Sequence, residues 1–390
     1  MARKKGRKKR SPSFFVALAA FFVAGALFLG TFLYLASLER TCQQPPPFEE
    51  STAPSSLLGR QIAAMDQAIY RCLKTAGIPQ KNIAFLEIKP KRANRTRWEF
   101  AAILIRLPRQ GLIASLQREL TKALSEQTHA VRIQTERGAR NGMVFNLYAG
   151  EHYTHRIMVV PDGVAFEDSK ILPRIAIIID DLGHDFGLAK SFMALDFPVS
   201  IAVLPRAPAT KRIVETAQQR KREILLHLPM ESEAHSHLEA GAGALLTSMD
   251  EKEIVTLFEE HLSRVPGAVG VNNHMGSRFT RSEPHMATLM GELKRRGLFY
   301  LDSRTTPETV SMEIAAKAGV AAAERSVFLD NELKQEAMAF QLKRLLAMGR
   351  HSGKAVGIGH PHPETLRFLK GHAELLKGAA RVVPVSRLVQ

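Results

Sequence analysis

Two carboxylates, Asp180 and Asp181, stand side by side directly after the apolar run Ile175–Ile179, and imidazoles close comparable stretches at His227, His274 and His360. Turns favour Asp and Asn, so many polar residues end strands for local reasons alone. Asp330-Asn331, His184, His285, His235 and His237 are read in that way, as turn, loop or surface residues. A carboxylate pair together with three histidines, each at a separate strand end, is better explained by one shared site. Adjacent strand residues point to opposite sides of the backbone, so one aspartate can ligate while the other accepts a proton. Carboxylate and imidazole donors without thiolate suit a divalent metal, zinc foremost, with Mn, Co or Fe as alternatives; three protein ligands leave positions for water and a substrate oxygen. The matching chemistry is metal-assisted hydrolysis, with a polarised carbonyl, a base and an acid. Cys42 and Cys72 are too few to bind metal by themselves. No G-x-S-x-G elbow, P-loop or G-x-G-x-x-G following a strand occurs in this half of the chain.

Such residues need a scaffold that gathers strand ends. From Pro173 onward short apolar strands are expected at Ile175–Ile179, Val199–Leu204, Ile224–His227, Ala268–Val271, Leu298–Leu301, Val327–Leu329, Ala355–Ile358 and Val382–Val385. Helices are expected between them, among them Asp250–Arg264, Glu283–Arg296 and Glu332–Arg350. The alternation implies an α/β fold with parallel strands and right-handed crossovers, closing into a (β/α) barrel of about seven units over residues 173–390. Its strand C-termini converge on one face.

Upstream, residues 57–165 read as a small basic α+β domain, with helices at Leu57–Leu73 and Leu112–Leu124 and strands at Asn82–Ile88, Trp98–Leu107, Val131–Thr135 and Met143–Tyr148. Residues 39–56 form a Pro/Ser linker. Phe14–Leu38 is a run without charge, and 25 residues at about 1.5 Å each would span a hydrocarbon core of about 30 Å. Residues 1–13 carry the basic cluster that keeps the N-terminus cytoplasmic. A single inner-membrane anchor with periplasmic or extracytoplasmic C-terminal domains is therefore expected. The net charge of +16 is concentrated in the tail and in residues 57–160. Aromatic residues beside those cations are too few for a nucleic-acid stacking platform, so no nucleic-acid partner is expected.

The stretches IAIIIDDLGHD, EILLHLPMES, VGVNNHMGSRFT, GLFYLDSRTT, VFLDNE and AVGIGHPHPETL occur in this order and resemble the divergent polysaccharide deacetylase family, an outlying branch of the polysaccharide deacetylase superfamily. The resemblance implies removal of N- or O-acetyl groups from a cell-envelope or peptidoglycan-like polysaccharide. It implies Asp180 as general base, Asp181 and His227 as metal ligands, His360 as the acid and Asp302 as a supporting carboxylate. The superfamily's second ligand histidine lies four residues after the first, where this chain has Glu231. Either Glu231 fills that place or His274 does, and His274 is preferred. Asn272 and Asn273 stand where the superfamily usually has an Arg-containing motif, and their amides are expected to position the acyl group or oxyanion. Loss of the HxxxH spacing motivates an alternative function, a non-catalytic glycan- or protein-binding scaffold of the envelope.

Overall fold

The computed structural model of the 390-residue chain describes residues 57–93, 96–107, 112–125, 131–138, 142–161, 172–233 and 243–389. The expected tail, anchor and linker, with Cys42, lie outside these residues, as do His235 and His237. No helix among the described residues is long and apolar enough to cross a membrane.

Met65, Ala68, Ile69, Cys72 and Leu73 share one side of helix α1 (Leu57–Thr75), and that spacing buries them against a sheet. The sheet comprises β1 (Ile83–Ala93), β2 (Thr96–Leu107), then, after α2 (Leu112–Ser125), β3 (Val131–Arg137), β4 (Met143–Ala149) and β5 (His152–Pro161), in the order β1-β2-β5-β4-β3. Strand β5 is not among the expected strands, yet it is central, parallel to β2 and antiparallel to β4. Gly150, at φ 57, makes the tight reversal that delivers it. Helices α1 and α2 cover one face of this sheet, over Ile103, Ile105, Phe145, Leu147, Ile157 and Val159.

A second sheet begins at β6 (Arg174–Leu182) and alternates with helices: α3 (Phe186–Met193), β7 (Ser200–Val203), α4 (Thr210–Gln219), β8 (Ile224–Met230), α5 (Glu251–Arg264), β9 (Gly270–Met275), α6 (Glu283–Arg296), β10 (Phe299–Asp302), α7 (Ser311–Ala318), β11 (Ala322–Glu324), β12 (Val327–Phe328), α8 (Gln335–Ser352), β13 (Lys354–Gly359), α9 (Pro363–Gly371), α10 (Ala373–Ala379) and β14 (Arg381–Val382). Helix starts follow local chemistry: Asp250 accepts from the Glu253 N–H while the Glu253 side chain accepts from the Asp250 N–H, a capping box that starts α5.

Neighbours in this sheet, β11-β10-β9-β8-β7-β6-β13-β12, are neighbours in the chain except where β13 joins β6, and all run parallel. Eight strands thus curl toward a barrel, but among the described residues its edges β11 and β12 do not pair. Arg325 and Ser326 alone separate those edges in the chain. The Arg325 N–H donates to Asp302 O at 2.9 Å and the Ser326 N–H to Val356 O at 2.8 Å, so these two residues bridge the seam. The strand expected at Val382–Val385 is only the two-residue β14 beside β6, followed by a 3₁₀ turn at Val385–Arg387. Pro384, without an N–H, cannot extend a ladder. Strand β11, unforeseen, takes its place in the count.

Alternate residues sort by face, as pleating requires. Ile177, Ile179, Val203, Leu226, Val271 and Tyr300 pack beneath the helices. Ile178, Ala202, Leu225, Leu301, Val356 and Ile358 fill the other face, which the curl turns inward. Helix α8 serves both sheets: Leu342, Leu345 and Leu346 join the core of the second, while Phe340 and Ala347 join the core of the first.

Candidate functional site

The inward phase continues past the apolar residues into polar ones at the strand C-termini. Asp180 follows Ile178, His227 follows Leu225, Asn272 follows Gly270, His274 follows Asn272, and His360 follows Ile358, each two positions on. All five side chains are buried. Asp181 belongs to the opposite phase, yet it too faces inward. The β6–β7 register shifts between Ile179 and Leu182, and Asp181 adopts φ 54, a left-handed conformation costing a non-glycine residue roughly 1–2 kcal/mol. The expectation that the two aspartates point to opposite sides is therefore corrected: both lie against one imidazole. Asp181 Oδ1 is 2.8 Å from His227 Nε2, and Asp180 Oδ2 is 3.9 Å from His227 Nδ1.

Asp181 Oδ1 is also 2.8 Å from His274 Nδ1. Asp181, His227 and His274 each offer one donor atom within 4.8 Å of the others. Asn272 supplies a test of whether a cation fits there. Its Nδ2 donates to both oxygens of Asp180 at 2.9 Å, so its Oδ1 faces His227 Nδ1 at 3.0 Å as an acceptor. Nδ1 of His227 then carries the hydrogen, and a neutral ring presents the Nε2 lone pair to the Asp181 oxygen. That contact is stable only with a second proton on the ring or a cation between the two atoms. His274 Nε2 is buried without a hydrogen-bond partner, so this ring depends on what Nδ1 meets. One carboxylate and two imidazoles, buried and preassembled, fit a divalent transition metal.

Electrostatics follow the same geometry. Burial alone would raise Asp181, but His274 and His227 outweigh it and hold the carboxyl well below its usual range. Burial dominates at Asp180 and raises it. Burial would lower His227, but Asp180 and Asp181 reverse the effect and raise it. At His360 burial also works downward, yet Asp330, with Asp181 and Asp180, pushes the imidazole up to about 9.

Three residues have contacts other than those the sequence suggested. Asp302 follows the inward Leu301 and so points the other way: its Oδ1 accepts from the Arg304 N–H and its Oδ2 from the Thr309 hydroxyl, both at 2.8 Å. The carboxylate that supports His360 is Asp330, read from sequence as a turn former, with Oδ1 at 2.9 Å from His360 Nδ1. Asn273 likewise lies in the outward phase. Its Nδ2 donates to Met275 O at 2.7 Å and its Oδ1 accepts from Tyr300 OH and the Ser303 N–H, which commits the amide to the wall of the barrel. Glu231 accepts from the Thr247 N–H and hydroxyl, both at 2.6 Å, and meets Arg278 at 3.3 Å; it is outside the three-donor cluster that contains His274. His184, read as a loop residue, is half-buried beside the cluster, where burial lowers its imidazole against the pull of Asp181. The inward phase, legible in sequence, would have favoured Asn272 over Asn273 and Ser303 over Asp302.

The sequence profile described as divergent polysaccharide deacetylase matches residues 177–389. Over 207 residues the chain is 34% identical to the uncharacterised protein YibQ of Escherichia coli K12, a segment that makes up 53% of this chain and 64% of that protein. The chain thus spans less than two thirds of that relative. An uncharacterised Haemophilus influenzae protein is 32% identical over 215 residues, covering 55% of this chain and 76% of its own. Among solved structures, the uncharacterised protein ATU2773 of Agrobacterium tumefaciens C58 superposes with a TM-score of 0.54 at 23% identity, covering 57% of this chain and 92% of that one; the two share a fold.

Proposed function

Because the chain belongs to the divergent polysaccharide deacetylase family, we propose that it is a metal-dependent hydrolase that removes N- or O-acetyl groups from a cell-envelope polysaccharide. The observation that carries this reading is the convergence of Asp181, His227 and His274 donor atoms within 4.8 Å beside Asp180 and the Asp330–His360 pair. A divalent cation held by these three residues, zinc first among the candidates, supplies Lewis acidity toward the acyl carbonyl and toward water. Asp180, raised by burial and held at both oxygens by Asn272, accepts the proton of the attacking water. His360, whose Nδ1 is engaged by Asp330, passes a proton from Nε2 to the departing amine or alkoxide. Asp330 stabilises the imidazolium before that transfer. With residues 14–38 as a membrane anchor, the site would act outside the cytoplasm on a peptidoglycan-like polymer.

The test is acetate release from acetylated glycan by the full-length protein in detergent, before and after chelation. Release that stops on chelation, returns with zinc and disappears in Asp180→Asn and His360→Ala supports the proposal. Release that survives chelation, or folded protein that takes up no transition metal, overturns it.

A further inference from the structure

We infer that the face of the five-stranded sheet turned away from α1 and α2 is a binding surface for an acidic polysaccharide. The choice of a glycan rests on the deacetylase reading above; the surface itself does not. Three rings form a row across adjacent strands β2, β5 and β4: Phe100 lies 4.9 Å from Tyr153, and Tyr153 stacks on Tyr148 at 5.0 Å with 29° between planes. Trp98 extends the row on β2, held by its indole N–H to Tyr153 O at 2.9 Å and packed edge-on to His152.

These rings belong to the phase opposite the core, because Ala101, Ile103, Phe145 and Leu147 take the helix-covered side. Phe100 is buried beneath Lys91, while Trp98, Tyr148 and Tyr153 remain partly open to solvent. Cations lie over both ends of the row. Lys91 Nζ sits 4.6 Å from the Phe100 centroid and 5.0 Å from that of Tyr153, and the Arg132 guanidinium sits 4.0 Å from the Tyr148 ring. Arg156 is exposed on β5 and acts on the Tyr153 phenol. Two acidic groups near this face are already engaged: Glu136 accepts from Asn146, and Glu87 pairs with Lys89.

The arrangement matches the chemistry of an acidic sugar chain. Partly exposed rings receive the apolar C–H faces of sugar rings, and the ammonium and guanidinium groups lying over Tyr153 and Tyr148 receive carboxylates. A solvated basic face would need no aligned rings, and plain electrostatic adhesion would need only the charges. Single-stranded nucleic acid also stacks on aromatic rows flanked by cations, so it becomes an outcome of the test. The surface would hold polymer while the barrel works on it.

The experiment measures binding of the full-length protein in detergent to polygalacturonate, to neutral dextran and to single-stranded oligodeoxythymidine, with Lys91→Glu/Arg156→Glu and Tyr148→Ala variants. None of these side chains belongs to the hydrophobic core. We expect polygalacturonate to bind more tightly than the other two polymers, and each variant to weaken it at least tenfold with unchanged circular dichroism and melting temperature. Equal or tighter binding of the oligonucleotide overturns the inference, as does loss on charge reversal alone with Tyr148→Ala unaffected, or absence of polygalacturonate binding. Asp180→Asn is run in parallel: retained binding in that variant separates this surface from the barrel site, whatever the outcome for catalysis.

Discussion

Asp330 and His360 meet just beyond the ends of neighbouring strands β12 and β13, with Asp330 Oδ1 at 2.9 Å from His360 Nδ1. The same carboxylate accepts at Oδ2 from the His360 N–H and the Thr365 hydroxyl, both at 2.6 Å. Burial would raise Asp330, but the neighbouring imidazole and these donors reverse that and lower it, so the carboxylate stays ionised beside the ring. An acid that must hold a proton at neutral pH is served by such a partner.

Replacing that carboxylate should release the proton. In the metal-free protein the His360 ring should titrate near about 9, against an ordinary value of 6.5. Because the folded value is raised, the stability this group contributes is complete below 6.5 and is lost as pH rises through 9. Asp330→Asn should lower the midpoint by one pH unit or more, read from the ring-proton shift by NMR. A midpoint that stays near that of the parent would mean Asp330 is not what holds the proton.

The two candidates for the third metal ligand can be separated directly. His274→Ala should reduce zinc content and affinity at least tenfold, because it removes one of three donors that already converge. Glu231→Gln should leave affinity within a factor of about three, since Glu231 is bound to Thr247 and Arg278. Elemental analysis of the purified proteins and competition with a chromogenic chelator measure both. The reverse ranking would place the metal elsewhere.

Adjacent asparagines on β9 should behave differently because pleating sends them to opposite faces. Asn272→Ala removes the group that orients both Asp180 and His227, and second-layer losses of this kind typically cost about 10–100-fold in metal affinity. Asn273→Ala strands the Ser303 N–H, while Tyr300 OH keeps Ser311 and Met275 O keeps the Thr305 hydroxyl. At about 1–3 kcal/mol for a buried group left without a partner, it should cost on the order of 1–3 kcal/mol of stability. Urea denaturation and metal titration of the two variants should therefore give opposite patterns, and equal effects on both measurements would contradict the assignment of faces.

The rhythm of the barrel was legible because each strand from β6 to β10 is a short apolar run closed by polar residues, the pattern of a strand buried on both faces. Strand β11 was not, since Ala322–Glu324 has neither the branched nor the aromatic residues that mark a strand. Asp180, His227, His274 and His360 were legible from their places at strand ends. Asp302 and Asn273 were misplaced by one residue, and in a structure of period two one residue is the difference between the site and the wall. The inward turn of Asp181 depends on a bulge and a left-handed backbone that no local composition signals. Asp330 was hidden by its resemblance to an ordinary turn residue; only its contact with a residue 30 positions later gives it a role.

Arg344 on α8 ties the two sheets together, and its removal should be felt most at neutral pH. Its guanidinium lies 3.2 Å from Asp66 Oδ2 and also bonds Glu99, while His155 Nε2 lies 3.0 Å from the other Asp66 oxygen. Burial would raise Asp66, but Arg344 and His155 outweigh it and bring the carboxyl down to about 2 from 3.8. With the folded value depressed, the stability Asp66 contributes is present above 3.8 and is lost as pH falls through about 2. Arg344→Met leaves Glu99 without its cation and Asp66 with His155 alone in a half-buried setting, which should cost on the order of 1–3 kcal/mol, less than for a fully buried pair. Urea denaturation of parent and variant across the acidic range tests this. The gap between them should be widest above 3.8 and narrow as the pH approaches 2. A gap that is constant with pH would attribute the loss to the aliphatic packing of the arginine, and no gap would remove Arg344 from the contacts that hold the two sheets together.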